Sequence, residues 1–186
     1  MKQMNFMKAK EVKDLLGRIE KHWGCELKNF YKKYIFVRSE KDRIYLANKE
    51  VMHMDFAKLR VNSIGLYFAQ VKEDQFRLSV EGSQMIGKIA TKNVVEVSQE
   101  QAKQWFRGED VEEFEKPSEN SQTPHKSALN TDAKNSYSKP SVDVNLLENN
   151  GFVILKYKTD FVGCGKVKEG KILNFLSKIR RVKDVY

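Results

Sequence analysis

Apolar residues recur early in the chain at the three-and-four spacing of a helix. In residues 9–23, AKEVKDLLGRIEKHW, Val12, Leu15, Leu16, Ile19 and Trp23 fall on one side with Lys and Glu between them, which predicts an amphipathic helix stopped at Gly24. The pattern then turns strand-like. Residues 34–38 (YIFVR) and 44–47 (IYLA) flank the charged loop 39–43 and predict a hairpin. Residues 65–71 and 75–80 flank Lys72-Glu73-Asp74 and predict a second one, in which Phe76, Leu78 and Val80 alternate with Gln75, Arg77 and Ser79, so that one face is wet. Residues 81–90 (EGSQMIGKIA) put Met85, Ile86 and Ile89 on one side and predict a short helix that Gly87 weakens. Residues 93–97 (NVVEV) predict a strand. Ser98 is placed to cap the helix after it, with Gln101 at the capping-box position; that helix, 99–107, buries Ala102, Trp105 and Phe106 and ends at Gly108.

The last patterned stretch, 151–181, organises the rest. Phe152, Val153, Ile154 and Leu155 form an apolar, partly β-branched run that predicts a buried strand. Residues 161–168 and 171–175 flank Glu169-Gly170, where glycine can take the positive φ of a tight reversal, so a hairpin is predicted there. Between these parts the character changes. The acidic patch Glu109, Asp110, Glu112, Glu113 and Glu115 leads into residues 117–142, which hold all three prolines, many Ser, Thr and Asn, and little apolar surface to offset the entropy of ordering them. This segment reads as a flexible insertion, after which Val144, Leu146 and Leu147 re-enter structure. No internal repeat is present.

With 186 residues, 40% of them hydrophobic, the chain can bury a core as one domain or two small ones. Charge narrows the partners: the formal net charge is +9 and the pI about 9.4, a field that favours RNA, DNA or an anionic membrane surface. Much of this charge lies at the end. Residues 151–186 carry nine Lys or Arg against three acids, a balance of +6. Two distant cysteines, Cys25 and Cys164, without a CxxC partner, argue against a disulfide framework and a zinc site. No apolar run approaches the ~20 residues of a membrane span, and the N-terminus is too charged for a signal-peptide core. A soluble protein of the reducing cytoplasm is expected, with no cofactor and no metal.

Gly163-Cys164-Gly165-Lys166 invites a phosphate-loop reading, but a P-loop needs GxxxxGK followed by Ser or Thr at a strand-to-helix junction, and Val167 in a strand context fails that test. A dinucleotide fingerprint lacks its third glycine and its helix. Two readings stay open: a purely structural bulge, or a strand that lets another backbone come close. Alternate strand residues share a face, so Lys166 and Lys168 project together, near Lys171 and the run Lys178, Arg180, Arg181. Cations grouped in this way give the counterion-release term that dominates nucleic-acid affinity. Tyr157, Phe161 and Phe175 are available either to stack on bases or to fill a core, and Asn174 either to read a base edge or to shape a turn. For catalysis the sequence is poor. His22, His53 and His125 adjoin no nucleophile or carboxylate pair, and Cys164 reads as a small residue in a tight strand.

Some of these residues carry a resemblance. Val94-Val95-Glu96-Val97, a helix with Ala102, and Gly108-Glu109-Asp110-Val111 resemble the opening of a PUA domain. The GFVIL strand, Gly163-x-Gly165-Lys166, Gly170-Lys171-x-Leu173-Asn174 and Lys178-x-Arg180 resemble the PUA-like C-terminal domain of the Nol/Nop/Sun family of RNA cytosine-C5 methyltransferases. The whole chain is similar to small free-standing archaeal relatives of that family, described as ribosome biogenesis proteins. Ser177 stands where the family pattern tends to have proline, and the chain has no Pro-Cys dipeptide and no Gly-rich S-adenosylmethionine loop. The resemblance implies RNA binding without methyl transfer.

The expectation is therefore an α+β protein: an N-terminal α/β domain over 1–92, then a PUA-like β pseudo-barrel over 93–186 interrupted at 117–142. Its expected function is to bind structured RNA, ribosomal or transfer, as a non-catalytic accessory to ribosome biogenesis or RNA modification. Lys166, Lys168, Lys171, Lys178, Arg180 and Arg181 would contact phosphates, Gly163 and Gly165 would permit close approach, and Asn174 would orient the loop. The alternatives are an adaptor docking an acidic protein and, ranked lower, an RNA-modifying enzyme.

Overall fold

The computed structural model describes residues 5–54, 64–72, 75–112 and 151–183. The predicted insertion at 117–142 and the re-entry at 143–150 lie outside them. A short strand β1 (Asn5–Phe6) precedes α1 (Ala9–Trp23), which buries the five predicted apolar residues and ends where Gly24 turns left-handed at φ 59°, its N–H donating to the carbonyl of Glu20. One helical turn, α2 (Phe30–Lys33), leads into β2 (Tyr34–Arg38) and β3 (Arg43–Asn48), the first predicted hairpin. After a 3-10 turn at Lys49–His53 come β4 (Leu66–Lys72) and β5 (Gln75–Leu78). These five strands form an antiparallel sheet in sequence order.

The second hairpin stops earlier than its alternation predicts. Ser79 Oγ accepts a hydrogen bond from Gly82 N at 2.9 Å and caps α3 (Val80–Gly87), so Val80 opens a helix instead of extending the strand. The glycines that weaken this helix also let it sit close to its neighbours: Gly82 lies against the Phe68 carbonyl of β4, and Gly87 against the ring of Phe161.

The second sheet comprises β6 (Val94–Glu96), β7 (Phe152–Tyr157), β8 (Asp160–Lys168) and β9 (Lys171–Leu173), in that order, with β6 parallel to β7 and the other pairs antiparallel. Between β6 and β7 in sequence, α4 (Gln99–Arg107) carries the predicted capping box: Ser98 Oγ accepts from Gln101 N, and Gln101 Oε1 accepts from Ser98 N at 2.8 Å. Beyond β9, Val111 makes an antiparallel bridge with Ile172. Helices and sheets are both present and the fold is α+β; among the described residues the second sheet is not closed into a barrel.

Strand period two splits the core along β7. Phe152 and Ile154 join α1, Phe68, Leu78 and Ile86 in one cluster, while Val153 and Leu155 join Trp105, Val111, Val167 and Ile172 in another. Burial on both faces explains why this strand reads as a continuous apolar run and not as an alternating one. The first cluster crosses the boundary expected at residue 92, since Val94, Ile154 and Cys164 pack with α1 and β5. Asn93, buried and at φ 58°, clasps the two parts: its Nδ2 donates to the His22 carbonyl at 2.6 Å, and its own carbonyl accepts from Ile154 N at 2.9 Å.

Candidate nucleic-acid interface

The basic hairpin forms as its turn residues require. Glu169 and Gly170 both take positive φ, 50° and 80°, the signature of a type I′ reversal whose twist suits a two-residue hairpin loop. The register pairs Lys168 with Lys171 and Lys166 with Leu173, so strand alternation puts Lys166, Lys168 and Lys171 on one side of the ribbon. A 3-10 turn at Lys178–Arg180 then brings three more cations, Lys178, Arg180 and Arg181, close in sequence to its exit.

Several of these cations already have partners. Lys171 Nζ meets Glu112 Oε1 at 2.5 Å; this hydrogen bond and charge hold the Glu112 carboxyl below its ordinary range and raise the Lys171 amine. Arg180 pairs with Glu81 of α3. Lys166 Nζ lies 3.2 Å from Gln75 Oε1 of β5. Arg181 donates from Nε to the Leu176 carbonyl at 3.1 Å and packs on Gly108 at the C-terminal end of α4, where the helix dipole favours a cation. Among the described residues Lys168 has the looser contact with its neighbour Glu169, at 3.6 Å, and both residues are largely exposed. Lys178 is exposed. Among the expected phosphate contacts, Lys168 and Lys178 are thus the least committed to the fold, and Arg181 is the most.

The two glycines and the asparagine serve the interior. Gly163 and Gly165 are buried. A Cβ on Gly163 would stand 2.9 Å from the indole of Trp105, and one on Gly165 would collide with Ile172, so the room they leave is taken by this chain's own side chains and not by a ligand backbone. Trp105 fills the Gly163 space and donates from Nε1 to the Val162 carbonyl at 3.0 Å. Asn174 spends its amide on the turn: Nδ2 donates to the carbonyls of Trp105 (2.7 Å) and Glu109 (2.9 Å), and Oδ1 accepts from Leu176 N (2.7 Å). It orients the loop as expected, and no donor remains to read a base.

The three candidate stacking residues part company. Phe161 packs against the first core cluster and Tyr157 against the second. Phe175 stays 40% exposed, with its ring centroid 6.0 Å from that of Phe152 and the Arg77 guanidinium 4.5 Å above it. Burial pushes the Cys164 thiol up to about 12, and burial together with the Glu20 charge pushes Cys25 up to about 11, so neither is a poised nucleophile.

One feature has no counterpart in the sequence reading. A cavity of about 550 Å³ opens between α1, β2 and the Lys49–His53 turn, walled by Val12, Leu16, Leu27 and Phe36 and fringed by Lys13, Lys28 and Lys49. It shares no residue with the basic hairpin. Large apolar residues stand exposed around it, Phe6, Tyr31 and Met52 among them, and no pattern in the sequence marks them.

Among the described residues no helix is long and apolar enough to cross a membrane, and no group of three His, Cys, Asp or Glu side chains is placed to hold a metal ion. No protein-family model matches the chain, and no curated protein gives a significant match to it.

Proposed function

We propose that this protein binds structured RNA, ribosomal or transfer, without catalysing a reaction on it, and that residues 93–186 act as a PUA-like module in ribosome biogenesis or RNA modification. The observation that carries the reading is the register of the β8–β9 hairpin, which gathers Lys166, Lys168 and Lys171 on one side, with the Lys178–Arg180 turn following close in sequence. A row of cations at strand spacing suits a phosphate backbone, and each contact adds to affinity by releasing counterions. The test uses the two cations least tied to the fold. Replacing Lys168 and Lys178 together by Ala should leave thermal stability nearly unchanged, weaken binding to a folded RNA, and lower the slope of log K against log salt by about two. Loss of stability without loss of slope would overturn the assignment.

A second reading, an adaptor for an acidic protein, is favoured by Ile179, which stands 93% exposed between Lys178 and Arg180. An apolar side chain set among cations suits a protein surface better than a phosphate row. Recovery of one stoichiometric partner after nuclease treatment, with no RNA crosslinked to the hairpin, would decide for it.

A further inference from the structure

Phe175 is the exception among the aromatics of the second sheet. The others face the cores, whereas Phe175, two residues beyond β9, keeps 40% of its surface in solvent. It rests on Phe152, itself 9% exposed, with centroids 6.0 Å apart and planes inclined at 48°. Core packing accounts for the Phe152 side of this pair and leaves the solvent side of Phe175 unexplained. The guanidinium of Arg77, from β5, lies 4.5 Å over the ring and is steered by Gln70 Oε1, which accepts from its Nη2 at 2.9 Å. On the neighbouring strand Lys166 reaches within 6.0 Å of the Phe152 ring and is held by Gln75. Two rings and two cations, supplied by both sheets, therefore meet beside the exit of the basic hairpin.

We infer that Phe175 and Arg77 form a stacking site for one unpaired nucleobase. This rests on the RNA-binding reading above and deepens it, because the ligand becomes a helix flanked by a bulged or overhanging nucleotide instead of a continuous duplex. The chemistry follows from the parts. Any base offers a π-face to the Phe175 ring, and a guanidinium is equally suited to stack on a base or to pair with its phosphate. Arg77 now covers the ring; when a base takes that place, the arginine moves aside and meets the adjacent phosphate. Lys166, Lys168 and Lys178 hold the backbone on either side. Base stacking is sequence-tolerant, so the site selects an unpaired nucleotide and not a particular letter.

The experiment compares two RNA probes, a fully paired hairpin and the same hairpin with one bulged 2-aminopurine, against the full chain and its Phe175→Ala and Phe175→Trp variants. Thermal melts verify that each variant is folded at the assay temperature. The wild type should bind the bulged RNA about tenfold more tightly than the paired one and quench the 2-aminopurine fluorescence. Phe175→Ala should erase both effects while binding the paired hairpin as before, and Phe175→Trp should keep them. Equal affinity of the wild type for the two probes, or retention of the preference by Phe175→Ala, overturns the stacking site and leaves RNA binding standing. Failure of the wild type to bind either probe overturns the RNA reading itself, and the stacking site with it.

Discussion

Replacing Gly165 by Ala separates two uses of a glycine. If Gly165 packs the interior, the added methyl costs stability and spares binding; if it lets a ligand backbone approach, binding suffers first. The structure supports the former. The new Cβ would be driven into Ile172 Cγ2, with the Leu173 carbonyl at 3.0 Å and Leu155 Cδ1 at 3.3 Å. Ile172 has no solvent exposure and cannot swing away, because its N–H and carbonyl are both tied to Val111, at 2.9 and 3.0 Å. Forcing an extra carbon into such a site costs about 1–3 kcal/mol. Gly165 is not in the left-handed region, so alanine also gains about 0.4–1 kcal/mol by stiffening the unfolded chain. Taken at mid-range, about 2 against about 0.7 kcal/mol, the steric cost outweighs this gain by about 1.3 kcal/mol, and at about 2–4 °C per kcal/mol the melting midpoint should drop by about 3–5 °C. Circular dichroism melts measure the drop, and RNA anisotropy well below both midpoints should show wild-type affinity. An unchanged midpoint with lost affinity would refute the packing argument and return Gly165 to the ligand.

Two further outcomes follow from the interior contacts. Asn174→Ala strands the Leu176 N–H and removes a shared donor from the Trp105 and Glu109 carbonyls; it should cost about 1–3 kcal/mol in urea unfolding, and Asn174→Asp, which keeps the acceptor but sets a carboxylate against two carbonyls, should be no better. The thiols give a pH dependence. Their folded values, about 12 for Cys164 and about 11 for Cys25, lie above those of the unfolded chain, so the stability they favour is complete below about pH 8.5 and is lost as pH rises through 11 to 12. The urea midpoint should fall between pH 8 and pH 10.5, and fall less in Cys164→Ala; a thiol reagent at pH 8 should modify neither cysteine until the protein unfolds, and rapid labelling of native Cys164 would contradict its burial.

What the sequence discloses here is the part of the fold that is local. The five apolar residues of α1, its stop at Gly24, the Ser98–Gln101 box and the Glu169-Gly170 reversal each depend on a few neighbouring side chains, and each forms as expected. The residues with two open readings depend on partners far away in the chain. Gly163 and Gly165 look like a ligand's approach until Trp105 and Ile172 are seen to occupy their space, and Trp105 is 57 residues from the carbonyl it meets. Asn174 resembles a base reader until α4, which it ties to the turn, is brought alongside. Charge behaves in the same way. A run of Lys and Arg is visible as a run, but the pairing of Lys171 with Glu112 and of Arg180 with Glu81 depends on which acids the fold carries to it. These pairs are exposed or only partly buried and add little to stability. Their consequence lies elsewhere: a carboxylate within reach of a cation competes with any phosphate that approaches it. The six cations are therefore unequally available, with Lys168 and Lys178 open to an approaching phosphate and Lys171 and Arg180 only after Glu112 and Glu81 are displaced.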